Sequence, residues 1–140
     1  MAVHRSEGSF IAQVAELSGA HDDFCIERIV TALDCGLALN PDTVRAQVEG
    51  GTGFGLSAGL YGRVTLEGGA AQDGNFDMYR VLRLNEMPRV METHLIEGAD
   101  RPSGVGEPGS VPGTAAVVNA LERMGLPQVT QFPVFAMSRI

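Results

Sequence analysis

"LNPDTVRAQVEGGTGFGLSAGLYG", residues 39–62, is the stretch on which the reading of this chain turns. Asn40 suits a helix N-cap, Pro41 the first helical position, and Asp42 the positive end of the helix dipole. Val44, Val48, Leu56 and Leu60 then recur at helical spacing. Glycines 50, 51, 53, 55 and 59 interrupt that stripe, each at about 1 kcal/mol relative to alanine in a helix interior. A helix so handicapped needs an offsetting reason. The expected one is close packing against another backbone or a ligand.

The flanking segments are strand-like. Residues 9–17 are partly β-branched and apolar, and 24–36 read as a longer strand joined to them by the turn "GAHDD". Strict alternation in the second strand places Phe24, Ile26, Arg28 and Val30 on one face, and Cys25, Glu27 and Ile29 on the other. The pair is expected as an antiparallel hairpin. Downstream, 62–76 read as a hairpin about Gly68-Gly69, 88–97 as a strand, and 98–113 as a loop. Residues 114–125 read as a helix with Ala116, Val117, Ala120, Leu121 and Met124 on one face and Gly125 at C′. Residues 126–135 read as an extended tail, with Pro133 marking an edge. The order ββαββα implies an α+β fold, an antiparallel sheet with two helices, in a single domain spanning 1–140.

Composition narrows the chemistry. The 140 residues are 44% hydrophobic and 19% charged, a folded composition with room for a sizeable core. The net charge is −7 and the basic residues are scattered singly, which argues against nucleic acid or an anionic membrane as partner. All ten basic residues are arginine, so Schiff-base chemistry and a Walker-type phosphate loop are excluded. The two cysteines, Cys25 and Cys35, form no CxxC pair and are expected as buried small hydrophobes. His4, His21 and His94 lie far apart without a metal-binding spacing, so no metal ligands are assigned. Ser57 in "GLSAG" lacks the nucleophile-elbow spacing, and "GGTGFG" (50–55) lies within a helical pattern rather than between strand and helix. No signal peptide or membrane-length apolar run is seen, which suggests a cytoplasmic chain.

One carboxylate stands out. "GVGEPGSVPG", residues 104–113, sets Glu107 among four glycines and two prolines just before a helix. Gly104 and Gly106 widen the backbone choices, and Pro108 is expected to hold Glu107 extended. The nearby helix end favours the ionised form. Two readings stay open: an aimed general base, or a helix-end charge on a turn.

Three linked segments resemble one family. "GVGEPGSVPGTAAVVNAL" is similar to the C-terminal signature of the molybdopterin-binding large subunit of molybdenum hydroxylases, the xanthine dehydrogenase and aldehyde oxidoreductase superfamily. The match runs through Gly104, Gly106-Glu107-Pro108, Pro112, Ala116 and Asn119-Ala120. Residues 32–62 resemble the family segment just upstream through Asp34-Cys35-Gly36, Asn40-Pro41, Gln47-Val48-Glu49-Gly50-Gly51 and Gly55-Leu56. "NFDMYRVLRLNEMPRVMETHLI" resembles, more narrowly, the β subunit of isoquinoline 1-oxidoreductase and related bacterial aldehyde dehydrogenases. The resemblance is collinear and reaches residue 125.

The resemblance implies a partial molybdopterin-binding-domain fold and specific roles. Glu107 matches the catalytic glutamate, taken to deprotonate a molybdenum-bound hydroxyl that then attacks an electron-poor carbon. Gln47 matches a cofactor-contacting glutamine, and Gly104, Val105 and Gly106 match the backbone beside the metal. The reaction class is oxidative hydroxylation of an N-heterocycle or aldehyde, with water as the oxygen source. The cofactor is expected as the cytosine dinucleotide form of molybdopterin in the complete enzyme, and as absent from the isolated chain. The implied partners are the remainder of the large subunit and an iron–sulfur subunit. Glu7 stands where the family pattern suggests an aromatic residue. The family's large subunit is several times longer, and the chain begins inside what resembles a family strand. Two hypotheses follow: a catalytic portion active only when complemented, or an inactive stand-alone fragment that self-associates as an oligomeric or binding module.

Overall fold

A computed structural model describes residues 1–20, 23–96, 98 and 101–135. Strand β1 (Ala2–Ser6) turns through Glu7 and Gly8, both at positive φ, into β2 (Ser9–Ala20). Two residues at positive φ match the twist of flanking strands, the usual basis of a tight hairpin. Strand β3 (Asp23–Asp34) pairs antiparallel with β2. Helix α1 (Pro41–Tyr61) follows, capped by Asn40, whose Oδ1 accepts the Thr43 N–H at 3.1 Å. A two-residue hairpin, β4 (Leu66–Glu67) and β5 (Ala70–Ala71), turns on Gly68 and Gly69, as expected. Strand β6 (Val90–Leu95) and helix α2 (Pro112–Arg123) complete the elements. Gly125, at φ +89°, stands just past the C-cap Met124.

The four main strands lie in the order β1-β2-β3-β6. The sheet is mostly antiparallel, with one departure from the sequence reading: β6 runs parallel to β3. Parallel neighbours need a crossover, and α1 provides it. Strict alternation in β3 also fails. Glu16 pairs with Arg28 but Leu17 with Ile26, so Glu27 is an extra residue in the strand. The bulge shifts the side-chain phase, and Ile26 and Ile29 both enter the core, not opposite faces. The same shift leaves Cys25 exposed, against the expectation that both cysteines are buried; Cys35 is buried and both are free.

Both helices cover one face of the sheet. Ala15, Ile26 and Ile29 meet Leu56, Leu60, Ala116, Val117 and Leu121 in one cluster. Ile11, Leu33 and Cys35 meet Val44 and Val48 in a second. All four apolar α1 positions picked by spacing are buried. On α2, Ala116, Val117 and Leu121 are buried, whereas Met124 is exposed because the helix has ended there. The tail forms no strand among the described residues. His21, part of the "GAHDD" turn, Glu97 and residues 99–100 lie outside the described residues. No described helix is long and apolar enough to cross a membrane.

The glycines of α1 now have their reason. A Cβ on Gly55 would lie 1.8 Å from the Ser110 carbonyl oxygen, and one on Gly59 would strike the Thr114 side chain at 2.2 Å. Conversely, a Cβ on Gly109 would lie 2.7 Å from the Val48 carbonyl oxygen. The helix is stripped of side chains where the loop before α2 and the first turn of α2 cross it. Gly50, with nothing within 4 Å, has no such duty.

Candidate active site

The 103–110 loop is fixed from three sides. Ser103 N–H donates to the Cys35 carbonyl at 2.9 Å, and Gly104 N–H donates to the Glu7 carbonyl at 3.0 Å. Ser9, fully buried, donates its hydroxyl to the Gly104 carbonyl at 2.6 Å. Gln47, on α1, donates from Nε2 to the Gly106 carbonyl at 2.9 Å. Gln47, Gly104, Val105, Gly106 and Glu107, chosen from two distant segments of sequence, are therefore brought together.

Glu107 itself is exposed. Its backbone is not extended, as Pro108 had suggested, but at φ −107°, ψ −25°. The competing force is a short turn of 3-10 helix, Pro108–Ser110. The Glu107 carbonyl accepts both the Ser110 N–H at 2.9 Å and the Ser110 hydroxyl at 2.7 Å, which closes that turn. The Glu107 side chain makes no capping hydrogen bond, so its carboxylate is left for solvent or a ligand.

Beside the loop a groove of about 460 Å³ opens, lined by Cys35, Leu39, Asn40, Val44, Gln47 and Val105 among others. Burial pushes the Cys35 thiol above its ordinary pKa, so it is a neutral thiol near pH 7 and not a reactive thiolate. Gln47 Oε1 accepts no hydrogen bond among the described residues. A free amide oxygen on the rim of an apolar groove fits a flat heterocycle with N–H donors, such as a pterin.

Several residues that hold the loop are invisible in a motif search. Ser9 and Glu7 act through the β1–β2 turn, and Glu7 lays its Cβ 2.5 Å from where Gly104 would carry one, so only glycine fits there. Gln13 and Thr52 lie beneath the loop. The one available signal was Gln13, a polar residue on the inward face between Ile11 and Ala15. The other singled-out residues have structural duties or none: Ser57 Oγ accepts the Leu82 N–H at 3.0 Å, and exposed His94 lies 3.6 Å from Glu92. No group of three His, Cys, Asp or Glu able to hold a metal occurs among the described residues. A second cavity, of about 370 Å³, is lined by Phe24, Tyr61, Glu86 and Phe135, away from Glu107.

The molybdopterin cofactor-binding domain family matches residues 8–88, more than half of the chain. The chain belongs to this family. Isoquinoline 1-oxidoreductase subunit beta of Brevundimonas diminuta is 35% identical over 81% of this chain, which spans 15% of that relative. Nicotine 6-hydroxylase large subunit of Paenarthrobacter nicotinovorans is 29% identical over 79% of the chain and 14% of its own length. Among solved structures, reconstituted CO dehydrogenase from Oligotropha carboxidovorans overlays with a TM-score of 0.76 at 22% identity. That overlay covers 90% of this chain and 17% of that one. As a molybdopterin cofactor-binding domain, the chain thus corresponds to a small share of much longer relatives.

Proposed function

We propose that this chain is the C-terminal catalytic portion of a molybdenum hydroxylase large subunit, with Glu107 as its proton acceptor. The observation that carries the reading is the 2.9 Å hydrogen bond from Gln47 to the Gly106 carbonyl. It joins the segment resembling the cofactor-contacting helix to the segment resembling the catalytic loop, one residue from an exposed carboxylate. The reaction is oxidative hydroxylation of an N-heterocycle or aldehyde: substrate C–H and water yield C–OH, two electrons and two protons.

When bound, the molybdopterin group, in its cytosine dinucleotide form, supplies the two-electron acceptor chemistry. Gln47 Oε1 would accept from an N–H of that group, and the backbone of Gly104, Val105 and Gly106 would lie beside it. Glu107, whose side chain makes no capping hydrogen bond, would take the proton from the attacking water-derived oxygen. The 140 residues form one domain, completed by the rest of the large subunit and an iron–sulfur subunit that carries electrons away in the cytoplasm. The test is co-expression with those partners and an assay of N-heterocycle and aldehyde oxidation. Glu107→Gln lowers kcat by about 10²–10⁴-fold at unchanged molybdenum content. Full activity in that variant refutes the role.

A second reading, an inactive stand-alone module, has one observation in its favour. The sheet face away from the helices exposes Phe10 and Val14, and β1 is an open edge. It predicts self-association by sedimentation and no bound molybdenum after co-expression with those partners; stoichiometric metal there rules it out.

A further inference from the structure

Because the Glu107 side chain has no capping bond, the carbonyls around it determine its place. On one side Gln47 holds the Gly106 carbonyl from an exposed position. On the other, the Gly109 carbonyl lies 3.2 Å from the hydroxyl of Thr52, a residue only 1% exposed. Thr52 Oγ1 also donates towards the Val48 carbonyl at 2.8 Å. Its lone pair accepts Gln13 Nε2 at 2.8 Å, and the same Nε2 donates to Thr31 Oγ1 at 3.0 Å. Gln13 is fully buried and its Oε1 has no partner. An apolar residue would fill that space without stranding an acceptor. What the amide contributes is its two donors, which tie β2 to β3 and to α1.

With one Thr52 lone pair engaged by Gln13, the hydroxyl proton is turned towards the two carbonyls. The first turn of α2, which the loop enters, is seated directly on this pair. A Cβ on Gly113 would lie 3.1 Å from Gln13 Oε1 and 3.2 Å from Thr52 Cγ2. We propose that Gln13 and Thr52 form a buried hydrogen-bond relay from the sheet to the Gly109 carbonyl, and that Thr52 is a positioning residue for Glu107. The functional part of this proposal rests on the reading of Glu107 as proton acceptor; the structural part does not.

The experiment has two arms. In the 140-residue chain, Thr52→Val replaces the hydroxyl by a methyl group at nearly constant shape. Amide exchange at Ser110, whose N–H is bonded to the Glu107 carbonyl, then speeds up about fivefold beyond any global change, the worth of one lost hydrogen bond. Thr52→Ser restores the slow exchange. Gln13→Met, which keeps length and loses the donors, gives a smaller increase and serves should Thr52→Val fail to fold. In the assembled enzyme, Thr52→Val lowers kcat by about 10–100-fold with KM and molybdenum content unchanged. Ser110 exchange that only tracks global stability in both variants overturns the relay. A selective exchange change together with full activity of Glu107→Gln keeps the relay and removes the catalytic reading, so the two failures are distinct.

Discussion

Alanine at two glycines of the same helix should act with opposite sign. At Gly55 a Cβ would sit 1.8 Å from the Ser110 carbonyl oxygen and 2.7 Å from its carbon, where ordinary contact begins near 3.4 Å. Helix and loop must part by about 1.6 Å, the difference between those separations. Both sides are backbone, so no rotamer change absorbs it, and the Thr114 hydroxyl bond to the Gly55 carbonyl at 2.9 Å is disturbed as well. Overpacking of this kind costs about 3 kcal/mol, the upper end of the usual range. Removing a glycine from a helix interior returns about 1 kcal/mol. Gly55→Ala therefore loses about 2 kcal/mol net. At Gly50, which has nothing within 4 Å, only the gain of about 1 kcal/mol remains. Urea melts should show midpoints displaced in opposite directions at equal m-value, and thermal melts should differ by about 10 °C between the variants. Gly55→Ala as stable as the parent would mean that the loop does not lie against α1.

Two further outcomes follow from local chemistry. Burial, together with its hydrogen bond to Glu86 at 2.9 Å, pushes the Tyr61 hydroxyl up to about 12. A raised folded-state value leaves its contribution whole below pH 10, and stability then falls as pH rises towards 12. Ultraviolet titration should resolve one tyrosine two units late, and Tyr61→Phe should lose both that transition and that slope. Asn40→Ala removes the α1 cap and should cost about 1 kcal/mol by denaturant melt, whereas Asn40→Ser should be near neutral; equal loss in both would discount the cap.

Fold legibility followed the strength of local signals. The α1 start was readable because Asn40-Pro41-Asp42 specify a cap and first turn. The Gly68-Gly69 hairpin was readable because a glycine pair takes two positive φ values with no Cβ penalty, whereas Glu7-Gly8 makes the same turn without that signal. The bulge at Glu27 was not, since an inserted strand residue leaves no mark in the side-chain pattern except a slipped phase. Nor was the parallel β3–β6 pairing, a consequence of tertiary closure through α1. In the site, Glu107 stood out from its glycine- and proline-rich loop, its role and the choice of Gln47 came from motif resemblance, and the sequence carried no sign that the two segments meet. Glu107's conformation went against the local bias of Pro108 because Ser110 closes a turn on its carbonyl. Ser9, Gln13 and Thr52 act only by contacts across the fold, which no spacing encodes.

On the proposed function, the Gln47–Gly106–Glu107 corner faces molybdopterin. Anomalous diffraction at the molybdenum edge, from crystals of the chain assembled with its upstream large-subunit partner, tests it most directly. One strong peak is expected beside the 104–107 loop, on the side from which Glu107 is exposed. A peak remote from that loop, with Glu107 facing bulk solvent, would contradict it.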